Sequence, residues 1–422
     1  MQDRSFIPFT EEMKKDYTIL VPNMLPIHFK LIISLFRSNG YNVELLETSG
    51  PQIAETGLKY THNDTCYPAI LVVGQMMDAL LSGKYDINKT ALIMTQTGGG
   101  CRASNYISLI RKALKKAGME QVPVISLNFA HMEKHPGFTL TPKILYSMVY
   151  AVCYGDLIMS LLNQVRPYEI NSGDAQKVAD KWTKHLGEEL AHTKIKYKKV
   201  KENYKAIIND FANIPMVHTA KPKVGIVGEI FVKYSPLANN DLEHFLISEG
   251  AEVVVPGLID FCLYCVYNGI VDHKLYRKNK STYIFYKFAY RFLCKKKNDI
   301  SNLIKSESSF DGWTEFDNIT HIASDVISLA VKMGEGWLLT SEMMELAESG
   351  CKNIVCTQPF GCLPNHICGK GMMKPLKELM PDINIMAIDY DAGASRVNQE
   401  NRIKLMLSNA ARLMKEKETV TI

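Results

Sequence analysis

Apolar and polar positions alternate along the first 139 residues in two different rhythms. Residues 17–21 form a short apolar run stopped by Pro22 and Asn23. A helical stretch continues to Ser38, Asn39-Gly40 stops it, and residues 43–46 form the next short run. Residues 69–81 carry the apolar spacing of a helix, 91–94 read as a strand, 104–117 as a helix and 122–127 as another strand. Strands alternating with helices in this way predict parallel β/α units with helices on both faces of a sheet.

From about residue 140 to 213 the pattern is helical throughout. Residues 146–162 are apolar enough for a buried helix, whereas 174–211 are long, polar and Lys-rich, as expected of one exposed bridging helix. A second β/α pattern starts at Lys223, with strands at 224–227, 253–255, 354–356 and 383–388 and a closing helix at 400–415. The prediction is therefore an α/β protein of two flavodoxin- or Rossmann-like parallel-sheet lobes. The first lobe covers 1–139, a helical connector 140–221, and the second lobe 222–422 with a helical insertion at 258–330. In that insertion, basic clusters lie between aromatic residues, which suits an amphipathic surface or an oligomer contact better than nucleic-acid stacking.

The two halves share a motif. Thr95-Gln-Thr-Gly-Gly-Gly-Cys101 follows a strand and leads to Asn105, and Thr357-Gln-Pro-Phe-Gly-Cys362 follows a strand and leads to Asn365. The repeat puts Cys101 and Cys362 at the carboxyl ends of strands in two lobes, where open α/β sheets bind ligands. Gly99, Gly100 and Gly361 would give such loops close backbone approach, and a third cysteine, Cys66, stands just before a helix that has Pro68 near its start.

Composition narrows the chemistry. The 422 residues carry 49 Lys and Arg against 44 acids, too even a balance to point to a nucleic-acid partner. No run reaches the ~18 uninterrupted apolar residues of a membrane span, so no membrane partner is expected. The ten cysteines are too sparse for a disulfide scaffold, the amino terminus has no signal-peptide pattern, and a cytoplasmic location follows as the expectation. Cysteines there serve as metal ligands, catalytic groups or packing. Cys66, Cys101 and Cys362 are read as ligands, with Cys356, Cys368 and Cys153 as further candidates. Cys294, Cys351 and the Cys262/Cys265 pair are read as packing. Thiolates dispersed over two lobes beside Gly-bearing loops favour an iron–sulfur cluster over structural zinc, and several thiols at one edge exceed the needs of a Cys/His nucleophile.

At these residues the chain resembles the 2-hydroxyacyl-CoA dehydratase superfamily, in its activase-associated branch, and most of all the double-cubane cluster proteins. The likeness is carried by Asn63-Asp-Thr-Cys66-Tyr-Pro68, the Cys101 loop with Arg102, Tyr154-Gly-Asp156, and Arg166-Pro-Tyr-Glu169. Gly228-Glu-Ile-Phe231, Gly334-Glu-Gly-Trp-Leu-Leu-Thr340, the Cys362 loop through His366, and Asp389-Tyr-Asp391 complete it. The resemblance implies an oxygen-sensitive cluster between the lobes, reduced by a separate ATP-hydrolysing iron–sulfur activase, in a protein that works as a homodimer. A single [4Fe–4S] cluster in this family takes three cysteines, which Cys66, Cys101 and Cys362 match. A double-cubane [8Fe–9S] cluster takes six, for which Cys356, Cys368 and Cys153 would complete the set. The expected function is reduction of a small-molecule substrate, with Arg102 and His366 stabilising charge or delivering protons, and Asp64 and Glu229 as lesser acid candidates. A dehydratase subunit with one cubane, a non-catalytic electron-transfer protein and a zinc enzyme are the alternatives.

Overall fold

The computed structural model describes residues 6–96, 100–127, 133–192, 194–217, 219–277 and 279–420. Two parallel four-stranded sheets organise them. The first comprises β1 (Thr18–Pro22), β2 (Asn42–Leu46), β3 (Thr90–Thr95) and β4 (Val124–Leu127), in the spatial order β2-β1-β3-β4. The second comprises β5 (Lys223–Gly228), β6 (Glu252–Val254), β7 (Asn353–Pro359) and β8 (Asn384–Tyr390), in the order β6-β5-β7-β8. The orders coincide when β1 is matched with β5 and β3 with β7, so the sequence repeat is a repeat of topology. In each sheet the chain reverses its direction of travel between the first and third strands, the switch point at which ligand crevices open.

The strands read as near-continuous apolar runs because both faces are covered: Ile354, Val355, Cys356, Thr357 and Gln358 on β7 are all buried. At the end of β5, Gly228 has φ +141°, and a Cβ there would fall 1.8 Å from the Thr357 carbonyl oxygen. Glycine is needed for β5 to leave its sheet so close to β7.

The 174–211 segment departs from expectation. It is two helices, Asp174–His192 and Tyr197–Ala212, which fold back on each other. Trp182, Leu186 and Leu190 on one, and Tyr204, Ile207, Ile208 and Phe211 on the other, are buried, and a single extended helix would leave both stripes in water. Trp182 Nε1 donates to Asp210 at 2.9 Å across the pair. The helix Pro142–Val165 is long and apolar enough to cross a membrane, but most of it is buried inside the protein, which accounts for its composition.

One buried joint ties three regions together. Asp156, on the Pro142–Val165 helix, stands 2.8 Å from Nε2 of His28 on the helix Pro26–Ser38. The same carboxylate accepts the N–H groups of Leu258 (2.7 Å) and Ile259 (2.8 Å), capping the helix Leu258–Tyr276 of the second-lobe insertion. Neighbouring glycines make room. A Cβ on Gly155 would lie 2.3 Å from the His28 ring, and one on Gly257 2.8 Å from the Asp156 carboxyl group.

Candidate functional site

Cys66, Cys101 and Cys362 share one local setting. Cys66 immediately precedes the helix Tyr67–Leu81, Cys101 the 3-10 turn Arg102–Asn105 that runs into the helix Tyr106–Lys116, and Cys362 the helix Leu363–Cys368. All three have non-helical backbone angles, and proline lies in the first turn after Cys66 and after Cys362. Free backbone N–H groups gather at such positions. The N–H groups of Ala103 and Asn365 favour the anionic forms of Cys101 and Cys362, and that of Ala69, which also donates to the Cys66 carbonyl at 2.9 Å, favours that of Cys66.

Cys101 links the three thiols electrostatically. Burial raises all of them, Cys66 to about 11. The charge of Glu229 raises each one further, Glu335 adds to Cys101 and Cys362, and Cys101 raises both Cys66 and Cys362. Residues from both lobes therefore share one electrostatic neighbourhood. Tyr106, buried at the start of its helix, holds its hydroxyl 3.1 Å from Cys66 Sγ. Arg102 is exposed and donates to the Asp64 carbonyl at 2.9 Å, so it clamps the turn that carries Cys66.

The second lobe supplies a pair of carboxyl groups. Glu229 follows β5 and accepts the Val232 N–H at 2.9 Å, capping the short helix Ile230–Tyr234. Glu335, itself buried, accepts the Ile230 N–H at 3.0 Å. The fully buried Asn365 amide links the two residues: its oxygen accepts the Glu229 N–H at 2.7 Å and its nitrogen donates to Glu335 at 2.8 Å. The end of the amide that faces Glu335 is also 3.5 Å from Cys362 Sγ. Burial raises both carboxyl groups, Glu229 to about 8, and for Glu229 the neighbouring Glu335 charge adds to it.

The remaining candidates are distributed differently. His366 places Nδ1 2.9 Å from the Cys362 carbonyl and Nε2 4.0 Å from Asp389, so its half-buried ring braces the Cys362 loop. Gly361 is exposed with φ +74°, a conformation glycine suits, and a Cβ on Gly100 would sit 3.1 Å from Met333 Sδ. Gly99 lies outside the described residues. Asp64 is exposed beside His62.

Cys356, Cys368 and Cys153 are not brought together. Cys356 and Cys368 are buried in the core beneath β7 with Leu339, Met343 and Leu376. Cys153 is buried in the separate helical core with Tyr154 and Tyr204. Strand alternation sends Cys356 into the sheet face, because it lies in mid-strand and not beyond its end. Cys265 corrects another expectation: it is exposed to solvent instead of packed.

Glu335 and Asn365 carry no role in the reading of composition and spacing. The usable signal for Glu335 is its place between Gly334 (φ +59°) and Gly336 (φ +49°), a carboxylate fixed in a tight turn. Among the described residues no three His, Cys, Asp or Glu side chains stand close enough to hold one metal ion. No protein-family model matches the chain, and no curated protein matches it.

Proposed function

We propose that this chain is an iron–sulfur redox protein that holds a [4Fe–4S] cluster on Cys66, Cys101 and Cys362, in a cleft between the lobes. On this reading it reduces or activates a small substrate with electrons from an ATP-hydrolysing activase. The observation that carries the reading is that three half-buried thiols, from two lobes and three helix starts, all feel the charge of the same carboxyl neighbour, Glu229. Thiols drawn from two lobes, outside any C-x2–4-C pair, suit an iron–sulfur cluster better than structural zinc.

A cluster bound there would supply a low-potential electron and an iron position without a protein thiolate. The chain supplies the rest. The helix starts direct N–H dipoles at the sulfurs, and partial burial limits their contact with water. Arg102 fixes the Cys66 turn, and Glu229 with Glu335 retains a proton beside the thiols at neutral pH.

The [8Fe–9S] form would need three more thiols in the same place. The division of Cys153 from Cys356 and Cys368 between two cores favours the single cluster. An [8Fe–9S] cluster is the second reading, since Glu335 raises Cys356 and Cys368 as it does Cys101 and Cys362. Iron and acid-labile sulfide analysis of anaerobically purified protein tests both. About four irons per chain supports the single cluster and about eight the larger one. Colourless protein with stoichiometric zinc and no labile sulfide overturns the proposal.

A further inference from the structure

The second lobe contains a projection that the first lacks. Residues 47–89 connect β2 to β3, whereas 255–352 connect the equivalent β6 and β7. Within that longer connection the helices Leu258–Tyr276 and Lys280–Glu307 form a hairpin. Its inner side is zipped by rings: His273 stacks on Tyr283 at 4.2 Å, Tyr267 lies 5.2 Å from Tyr290, and the Tyr286 ring occupies the space beside Gly269.

The tip is built otherwise. Leu275, Tyr276, Ile284, Phe285 and Phe288 are each more than half exposed, Phe288 at 71%. Ile284, Phe285 and Phe288 fall at helical spacing on one face. Residues 274–298 contain nine Lys and Arg and no Asp or Glu. Lys274, Arg277, Lys280, Lys287, Arg291 and Lys295 are exposed, and no ion pair is formed by any of them among the described residues. An exposed apolar face ringed by unpaired cations matches an amphipathic element that lies in a charged interface.

We propose that the hairpin tip docks on an anionic lipid surface, with Phe285, Phe288 and Ile284 entering the headgroup boundary and the surrounding cations meeting lipid phosphates. The expectation of no membrane partner rests on the lack of a spanning run, and a surface-lying tip needs none. Charge complementarity selects the occupant. A second copy would bring one uncompensated basic tip against another. Single-stranded nucleic acid would stack on the exposed rings of Tyr276, Phe285 and Phe288, but the equally exposed aliphatic Leu275 and Ile284 offer no stacking surface, whereas all five can enter a lipid boundary. The inference does not depend on the redox reading.

Sedimentation of the full-length protein with phosphatidylcholine vesicles, with and without phosphatidylglycerol, tests it. Binding is expected only with phosphatidylglycerol, weakening as salt rises. Phe285→Ala/Phe288→Ala and Lys280→Glu/Lys287→Glu should each reduce it by roughly tenfold or more, with unchanged melting temperature because all four residues are exposed. Equal binding to both vesicles, or binding to neither, overturns the proposal. So does binding confined to a single-stranded oligonucleotide tested in parallel, or self-association in solution abolished by the Phe pair.

Discussion

His28 and Asp156 meet at 2.8 Å in a pocket sealed from solvent, and through Asp156 the first-lobe helix, the connector and the start of the Leu258–Tyr276 helix share one carboxyl group. Asp156→Ala would strand a buried imidazole and two backbone N–H groups together. The expected loss is about 3 kcal/mol or more of folding stability, measured by denaturant unfolding. A loss below ~0.5 kcal/mol would show that the joint does not hold these regions together.

Single Cys→Ser changes at Cys66, Cys101 and Cys362 should each abolish or strongly alter the visible spectrum of anaerobically prepared protein. Cys294→Ser and Cys153→Ser should leave it intact, since Cys294 borders the helical core and Cys153 lies inside it. A spectrum insensitive to Cys362→Ser would remove the second lobe from the site.

The Glu229/Glu335 pair sets a pH dependence whose sign follows from burial. Native carboxyl groups with raised pKa values bind protons that the unfolded chain has already released. Their contribution to stability is complete below the unfolded carboxylate pKa and is lost as pH rises through the native values. Glu342, raised to about 7 by burial beside Lys233, acts in the same direction. The metal-free protein should therefore melt at lower temperature at about pH 8 than at about pH 5.5, with a limiting slope near 1.4 kcal/mol per pH unit for each proton. Glu335→Gln removes the charge that raises Glu229, so its melting profile should be flatter. Parallel profiles would mean that the two carboxyl groups do not interact.

Gly228→Ala should cost at least ~2 kcal/mol, because its Cβ would enter the Thr357 carbonyl and its φ lies in glycine territory. Thermal melting checks this. At Gly118, which also has positive φ but open space around it, the same change should cost less.

The topology was legible because patterning and repeat agreed. Apolar runs marked the strands, and the two Thr-Gln…Gly-Cys segments anticipated that β3 and β7 occupy matching places. What escaped was direction. Cys356 and Cys368 are near Cys362 in sequence, but mid-strand alternation and a helix's inner face turn them into a core. Cys153 follows the Pro142–Val165 helix into a different core. Glu335 reaches the thiols only because the turn at Gly334 and Gly336 delivers it there, a tertiary placement that local spacing does not encode. The break after His192 was hidden in the same way, since a Lys-rich exterior masks two apolar stripes until the chain folds back.

The thiol set is split two to one, Cys66 and Cys101 in the first lobe and Cys362 in the second. On the proposed reading, neither half of the chain owns the site by itself. Any group spanning the three sulfurs is a staple between the halves, and its grip is a chelate effect that lasts only while they stay docked. Loss of that group and parting of the lobes would then be one event seen by two instruments, bleaching in the spectrum and new cleavage points for a protease.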